Sequence, residues 1–217
     1  MRARLALASA GFGVELREIV LRDKAAEFVA ASPKATVPVL VLPDGTVIEE
    51  SLDIMLHVLG RHDPEHLLQP PHGSREEMLA LIADFDGPFK TALDRYKYTS
   101  RYEDADPVSE RETAAIFLHR LNELIAPQAG FIYGGRPSLA DFAILPFIRQ
   151  FANVDRAWFD AGTWPDLLSA LNRFTGSARF AAIMAKYKKW QPGDPPIWFP
   201  VSSDPAVEAA PQTTRAG

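Results

Sequence analysis

Residues 32 to 54 read Ser-Pro-Lys-Ala-Thr-Val-Pro-Val-Leu-Val-Leu-Pro-Asp-Gly-Thr-Val-Ile-Glu-Glu-Ser-Leu-Asp-Ile. Val37 to Leu42 is a short run of branched apolar residues, and Pro43-Asp44-Gly45 is a turn signal. Thr46 to Glu49 is therefore expected to return as the second strand of a hairpin. Pro38 has no N–H to give a ladder and belongs at a strand start or edge. A cis Val37-Pro38 bond would turn the N–H and C=O of Val37 outward, offering an extended peptide two main-chain hydrogen bonds. Base rates favour trans, since only about 5–6% of such bonds are cis. Ser51 reads as the N-cap of a helix over Leu52 to Leu59, whose Leu52, Met55, Leu56 and Leu59 recur at helical spacing. A helix N-terminus favours a carboxylate, and Glu50 is close enough to meet an amine, so this corner suits an amino-acid head group. Alone, the tripeptide Glu49-Glu50-Ser51 is better explained by a plain cap and solvated acids.

Upstream, Arg2 to Ala10 are strong helix formers ending at Gly11, Val14 to Leu21 reads as a strand with one wet face, and Asp23 to Ala31 as a short helix. The opening order is α, β, α, β, β, α. Arg61 to Ser74 holds three prolines and no periodicity, the pattern of an interdomain linker. Beyond it the pattern is helical: Met78 to Phe85, Phe89 to Tyr98, Glu110 to Ile125, Leu139 to Ala152, Leu167 to Thr175 and Ala178 to Tyr187. Ser138-Leu139-Ala140-Asp141 is a Ser-x-x-Asp capping box before an apolar helix. The expected division is an α/β domain over 1–68, an all-helical domain over 75–199, and a flexible tail over 200–217 that holds no aromatic residue.

At 217 residues, with 47% hydrophobic and 24% charged residues, the composition is that of a globular protein. The net charge is −5. The densest basic run, Lys186, Lys188 and Lys189, is read as the solvated face of a helix, which excludes a phosphate-neutralising surface and hence a nucleic-acid partner. The longest uncharged stretch, Leu124 to Gly135, is broken by Pro127 and glycines and does not make a membrane span. Met-Arg-Ala-Arg before Leu5 to Ala10 imitates a secretory signal, but its apolar segment is too short. The sequence has no cysteine, hence no disulfide, thiolate metal site or cysteine nucleophile. His57, His62 and His66 lack a third ligand at useful spacing, with Pro64 breaking the register, so no metal is expected.

Taken together, Lys24, the 32–40 segment, Ile48-Glu49-Glu50-Ser51-Leu52-Asp53-Ile54 and Gly135-Arg136-Pro137-Ser138-Leu139-Ala140-Asp141-Phe142 resemble the glutathione S-transferase family over about residues 1 to 190. The likeness is greatest to omega-like and related bacterial members, whose Cys-Pro-Tyr-type motif runs into a helix like Met-Arg-Ala-Arg-Leu-Ala-Leu. The resemblance implies a thioredoxin-like domain followed by an all-α domain. It also implies glutathione as co-substrate, a small electrophilic or disulfide second substrate, a cytoplasmic location and a homodimer. By position, Val37 beside Pro38 would pair with the cysteinyl backbone of glutathione and Glu50 and Ser51 would hold its γ-glutamyl group. Lys24, with Lys34 as fallback, would meet the glycyl carboxylate. Tyr96 and Tyr98 would border a second-substrate pocket between the domains, with Tyr102, Phe85 and Phe89 nearby.

In the family, the first strand and the catalytic Cys or Ser stand ahead of this first helix, the catalytic residue about four positions before Met1. The residues here supply neither. Two readings follow, a start assigned too far downstream or a restructured short form. The activity implied is glutathione conjugation or glutathione-dependent thiol-disulfide exchange. The alternative is a non-catalytic glutathione-fold binding or interaction module.

Overall fold

The computed structural model describes residues 1–128 and 130–201. Beyond residue 201, the tail expected over 200–217 lies outside the described residues. Helix α1 (Arg2–Ala10) stops at Gly11, whose φ of 61° is the left-handed conformation glycine accepts without a Cβ clash. Strand β1 (Val14–Glu15), helix α2 (Ala26–Ala31), strands β2 (Leu40–Val41) and β3 (Val47–Ile48) and helix α3 (Ser51–Arg61) complete the first half. The second half is built of α4 (Arg75–Asp84), a π-helical turn over Phe85–Phe89, α5 (Lys90–Lys97), α6 (Pro107–Ile125), α7 (Leu139–Ala152), α8 (Arg156–Asp160), α9 (Pro165–Thr175) and α10 (Ala178–Ile183). It is followed by strand β4 (Trp198–Phe199).

The β structure is more fragmented than expected. The Val14 to Leu21 strand is regular only over Val14–Glu15, because only there does it find a ladder partner, and that partner is β4. Val14 lies opposite Phe199 and Glu15 opposite Trp198. The hairpin forms as a separate antiparallel ladder, Leu40 opposite Ile48 and Val41 opposite Val47. The region 75–199 is therefore not wholly helical. After Ile183 the chain leaves helical geometry and returns to the first half, where Trp190 N–H donates to the Glu18 carbonyl (2.8 Å). Lys186, Lys188 and Lys189 accordingly stand on no helix: Lys189 pairs with Asp23, and Lys188 pairs with Asp194 at 2.9 Å.

Helix α1 is internal. Leu5 and Ala6 are fully buried, and even Arg2 and Ser9 are more than nine-tenths covered, because α1 is wedged among α3, α7 and α10. Its alanines permit that close approach. The 61–74 stretch is tied down rather than free. The Asp63 carboxylate accepts the N–H groups of Leu67 and Leu68, both at 2.8 Å. Both leucines are buried, and the Leu67 carbonyl accepts from Leu139 N–H at 2.8 Å. Glu65 accepts from Ser9 Oγ (2.6 Å) and from Arg179 (2.7 Å), joining α1 and α10 to this segment.

Helix α7 spans the residues its sequence pattern predicts. Asp141, 2% exposed, accepts Ser138 N–H and Ser138 O–H at 2.8 Å each, and Ile132 N–H at 3.0 Å. Burial pushes its carboxyl up, against these bonds, which favour the charged form. Phe85 and Phe89 are fully buried and tilted together at 4.9 Å between ring centroids, so they serve the core and not a pocket.

Candidate functional site

Between the two halves lies a cleft of about 550 Å³. One wall comes from Met1, Arg2, Val37, Pro38 and Ser51, the other from Lys97 at the end of α5, from Pro146, Phe147, Arg149 and Gln150 on α7, and from Asn153 and Val154 just beyond it. The Val37-Pro38 bond is cis, against the base-rate expectation. Val37 is about half exposed, and its backbone N–H and C=O bond to no described residue, so both are free for an extended ligand. Ser51 stands beside them, at the N-terminus of α3. Glu50 rather than Ser51 occupies the N-cap position, and no side chain caps this helix. The Ser51 hydroxyl is thus uncommitted, next to the unpaired N–H groups of a helix of eleven residues.

The other expected contacts are placed differently. Glu50 is exposed and takes Lys34 Nζ at 3.2 Å, while Glu49 lies 3.7 Å from the same ammonium and accepts a hydrogen bond from the buried Ser32 hydroxyl. These carboxylates raise the pKa of Lys34, the hydrogen bond to Glu50 contributing most. Lys24 is exposed in the loop before α2, outside the cleft lining. Tyr96 packs against Phe151 with its ring tilted (5.3 Å between centroids), and the Tyr98 ring meets both Lys97 Nζ (4.7 Å) and the Arg101 guanidinium (4.3 Å). Neither tyrosine lines the cleft. Lys97, the residue between them, does. Residues two apart on a helix do not share a face, and that spacing was the available signal.

Sequence reasoning also missed Arg2. Its guanidinium grips the Asp86 carboxylate with two parallel bonds (2.8 and 3.1 Å) and lies 4.9 Å over the Phe147 ring. Asp86 belongs to the π turn, where Pro88 interrupts the α-helical ladder between α4 and α5. The turn thus joins the helical half to the N-terminus of α1 at the floor of the cleft.

A thioredoxin-like first half, docked through a cis-proline cleft on a helical second half, defines the glutathione-transferase fold class. Residues 1–66 match the family model described as glutathione S-transferase, N-terminal domain, and residues 114–177 match its C-terminal domain model. The two matches together span more than half of the sequence, and the chain belongs to the glutathione S-transferase family. Among curated proteins it is similar to glutathione S-transferase L1 of Arabidopsis thaliana, 33% identical over 121 residues. That match covers 55% of this chain and 47% of the relative, so it spans about half the relative's length. Among solved structures, a glutathione S-transferase domain-containing protein of Marinobacter aquaeolei is 25% identical with a TM-score of 0.63, over 82% of this chain and 93% of the other. A glutathione transferase family member of Pseudomonas fluorescens, solved with two glutathione bound, is 21% identical with a TM-score of 0.69, over 84% and 86%. No helix among the described residues is long and apolar enough to cross a membrane.

Proposed function

We propose that this chain is a glutathione transferase of omega-like type that binds glutathione in the Val37–Ser51 cleft and presents its thiol to a small second substrate. The observation that carries the reading is the meeting, on one wall, of a free peptide edge at Val37 and an uncapped helix N-terminus at Ser51, in a chain of this family. The edge matches the cysteinyl amide of glutathione, and the helix end with the Ser51 hydroxyl matches the γ-glutamyl carboxylate. The γ-glutamyl amine competes with Lys34 for Glu50.

Met1 and Arg2 bring the positive end of α1 to the same wall, which favours a thiolate over a thiol. The thiolate sulfur then attacks an electrophilic carbon, whose leaving group departs with the bonding pair, or one sulfur of a disulfide, releasing the other as thiolate. A homodimer in the cytoplasm belongs to the same reading, and sedimentation at micromolar concentration tests the dimer.

Titration calorimetry with reduced glutathione is the direct test. Ser51→Ala should weaken binding by about 1–3 kcal/mol, the cost of leaving a charged group without its hydrogen bond. Because the Ser51 side chain makes no cap bond, the same substitution should shift urea stability by less than about 0.5 kcal/mol. No heat of binding from the wild-type protein would overturn the reading.

A further inference from the structure

The charges facing the cleft are of one sign. Its lining holds Arg2, Lys97 and Arg149 and no aspartate or glutamate, in a protein whose net charge is −5. Arg2 is neutralised by Asp86. Lys97 and Arg149 are not neutralised by any described residue. The ammonium of Lys97 lies 4.7 Å from the Tyr98 ring, and the guanidinium of Arg149 lies 5.3 Å from the Phe180 ring. Aromatic faces hold a cation in place without cancelling its charge. By contrast, Lys90 on the same helix as Lys97 is paired with Asp94.

Both cations stand on the helical wall, on α5 and α7, opposite the wall that carries Val37 and Ser51. The remainder of the lining is apolar at Pro38, Pro146, Phe147 and Val154 and neutral at Gln150 and Asn153. We infer that the helical wall receives a carboxylate on the second substrate, so that the enzyme's electrophile is a small organic acid with an apolar body. The inference rests on the glutathione reading above. It extends that reading from an unspecified apolar pocket to one selecting a negative charge, with Phe147 and Val154 covering the body and Lys97 and Arg149 meeting the acid.

Glutathione is itself an anion, so the test separates its carboxylates from one on the second substrate. Dissociation constants are measured for three ligands: reduced glutathione, S-benzylglutathione and S-(4-carboxybenzyl)glutathione, which places an acid beyond the sulfur. The carboxybenzyl conjugate should bind about tenfold more tightly than the benzyl conjugate at low salt, a factor typical of a partly screened charge-assisted contact. That ratio should shrink toward one in 0.5 M salt and in the Lys97→Met/Arg149→Met variant, and recover when the variant is Lys97→Arg/Arg149→Lys. Lys97→Met alone, at an exposed position, serves if the double variant does not fold, and should lower the ratio by about half.

A ratio near one in the wild type, with both conjugates bound, overturns the inference and leaves the glutathione reading standing. Equal losses for all three ligands in the variant also overturn it, assigning the cations to glutathione's own carboxylates. Binding of none of the three overturns both.

Discussion

Helix α7 and the segment from Gly11 to Asp53 are two ways of folding in one chain. Eleven of the fourteen residues of α7 are buried, and its cap, its apolar run and its partners on α4 and α9 are all specified within the helical half. Between Gly11 and Asp53, Leu40 alone is a buried apolar residue, and no strand exceeds two residues. The helical half makes a core from local periodicity. The other half is ordered by what docks on it: α1 and α3 from within, β4 from far along the chain, and the hydrogen bonds of Ser32 and Asp63. Its exposed, under-packed surface is also where free backbone groups are available for a ligand. The wall that offers free backbone groups is thus separate from the stabilising core, while the facing wall is built on the core helix α7 itself.

The largest test of that separation is Asp141→Ala, which leaves three buried donors without an acceptor. It should lower stability by about 3 kcal/mol in urea unfolding and unfold both halves together, as an independently folding first half would not. Next is the Arg2–Asp86 link across the halves. A double-mutant cycle with Arg2→Met and Asp86→Ala should give a coupling of about 1–2 kcal/mol, discounted for the partial exposure of Asp86. A coupling near zero would mean that this ion pair adds nothing to the other links between the halves, among them Glu65–Arg179 and the Leu67–Leu139 backbone bond. The smallest effect is expected at Trp198→Ala. Trp198 is mostly exposed, and losing its cross-strand contact with Glu15 should cost about 0.5–1 kcal/mol, with hydrogen-exchange protection lost in β1 and retained in α7.

Legibility in the sequence follows the same divide. Leu139 to Ala152 could be read to the residue because cap, period and stop are local. The Val37-Pro38 motif and the Glu50-Ser51 corner could be located, although the cap fell one residue earlier than expected, an ambiguity intrinsic to helix ends. The Val14 to Leu21 strand was overlong because strand length depends on a partner, and the partner is separated from it by most of the chain. The same blindness carried the last helix on to Tyr187 and set Lys189 on a helix face, where Glu18 and Asp23 instead engage the backbone around it and its side chain. On the far wall, tyrosines drew the eye from Lys97 and Arg149, since aromatic residues announce a pocket only where their ring faces are free.

The pairing of β1 with β4 also bears on how the protein is made. Val14 and its partner Phe199 are 185 positions apart in the sequence, so at about 5–20 residues per second the first strand waits on the order of 10–40 s for its partner. During that interval Val14 and Glu15 are an unpaired edge on a nascent chain, and the piece that covers them is translated long after them.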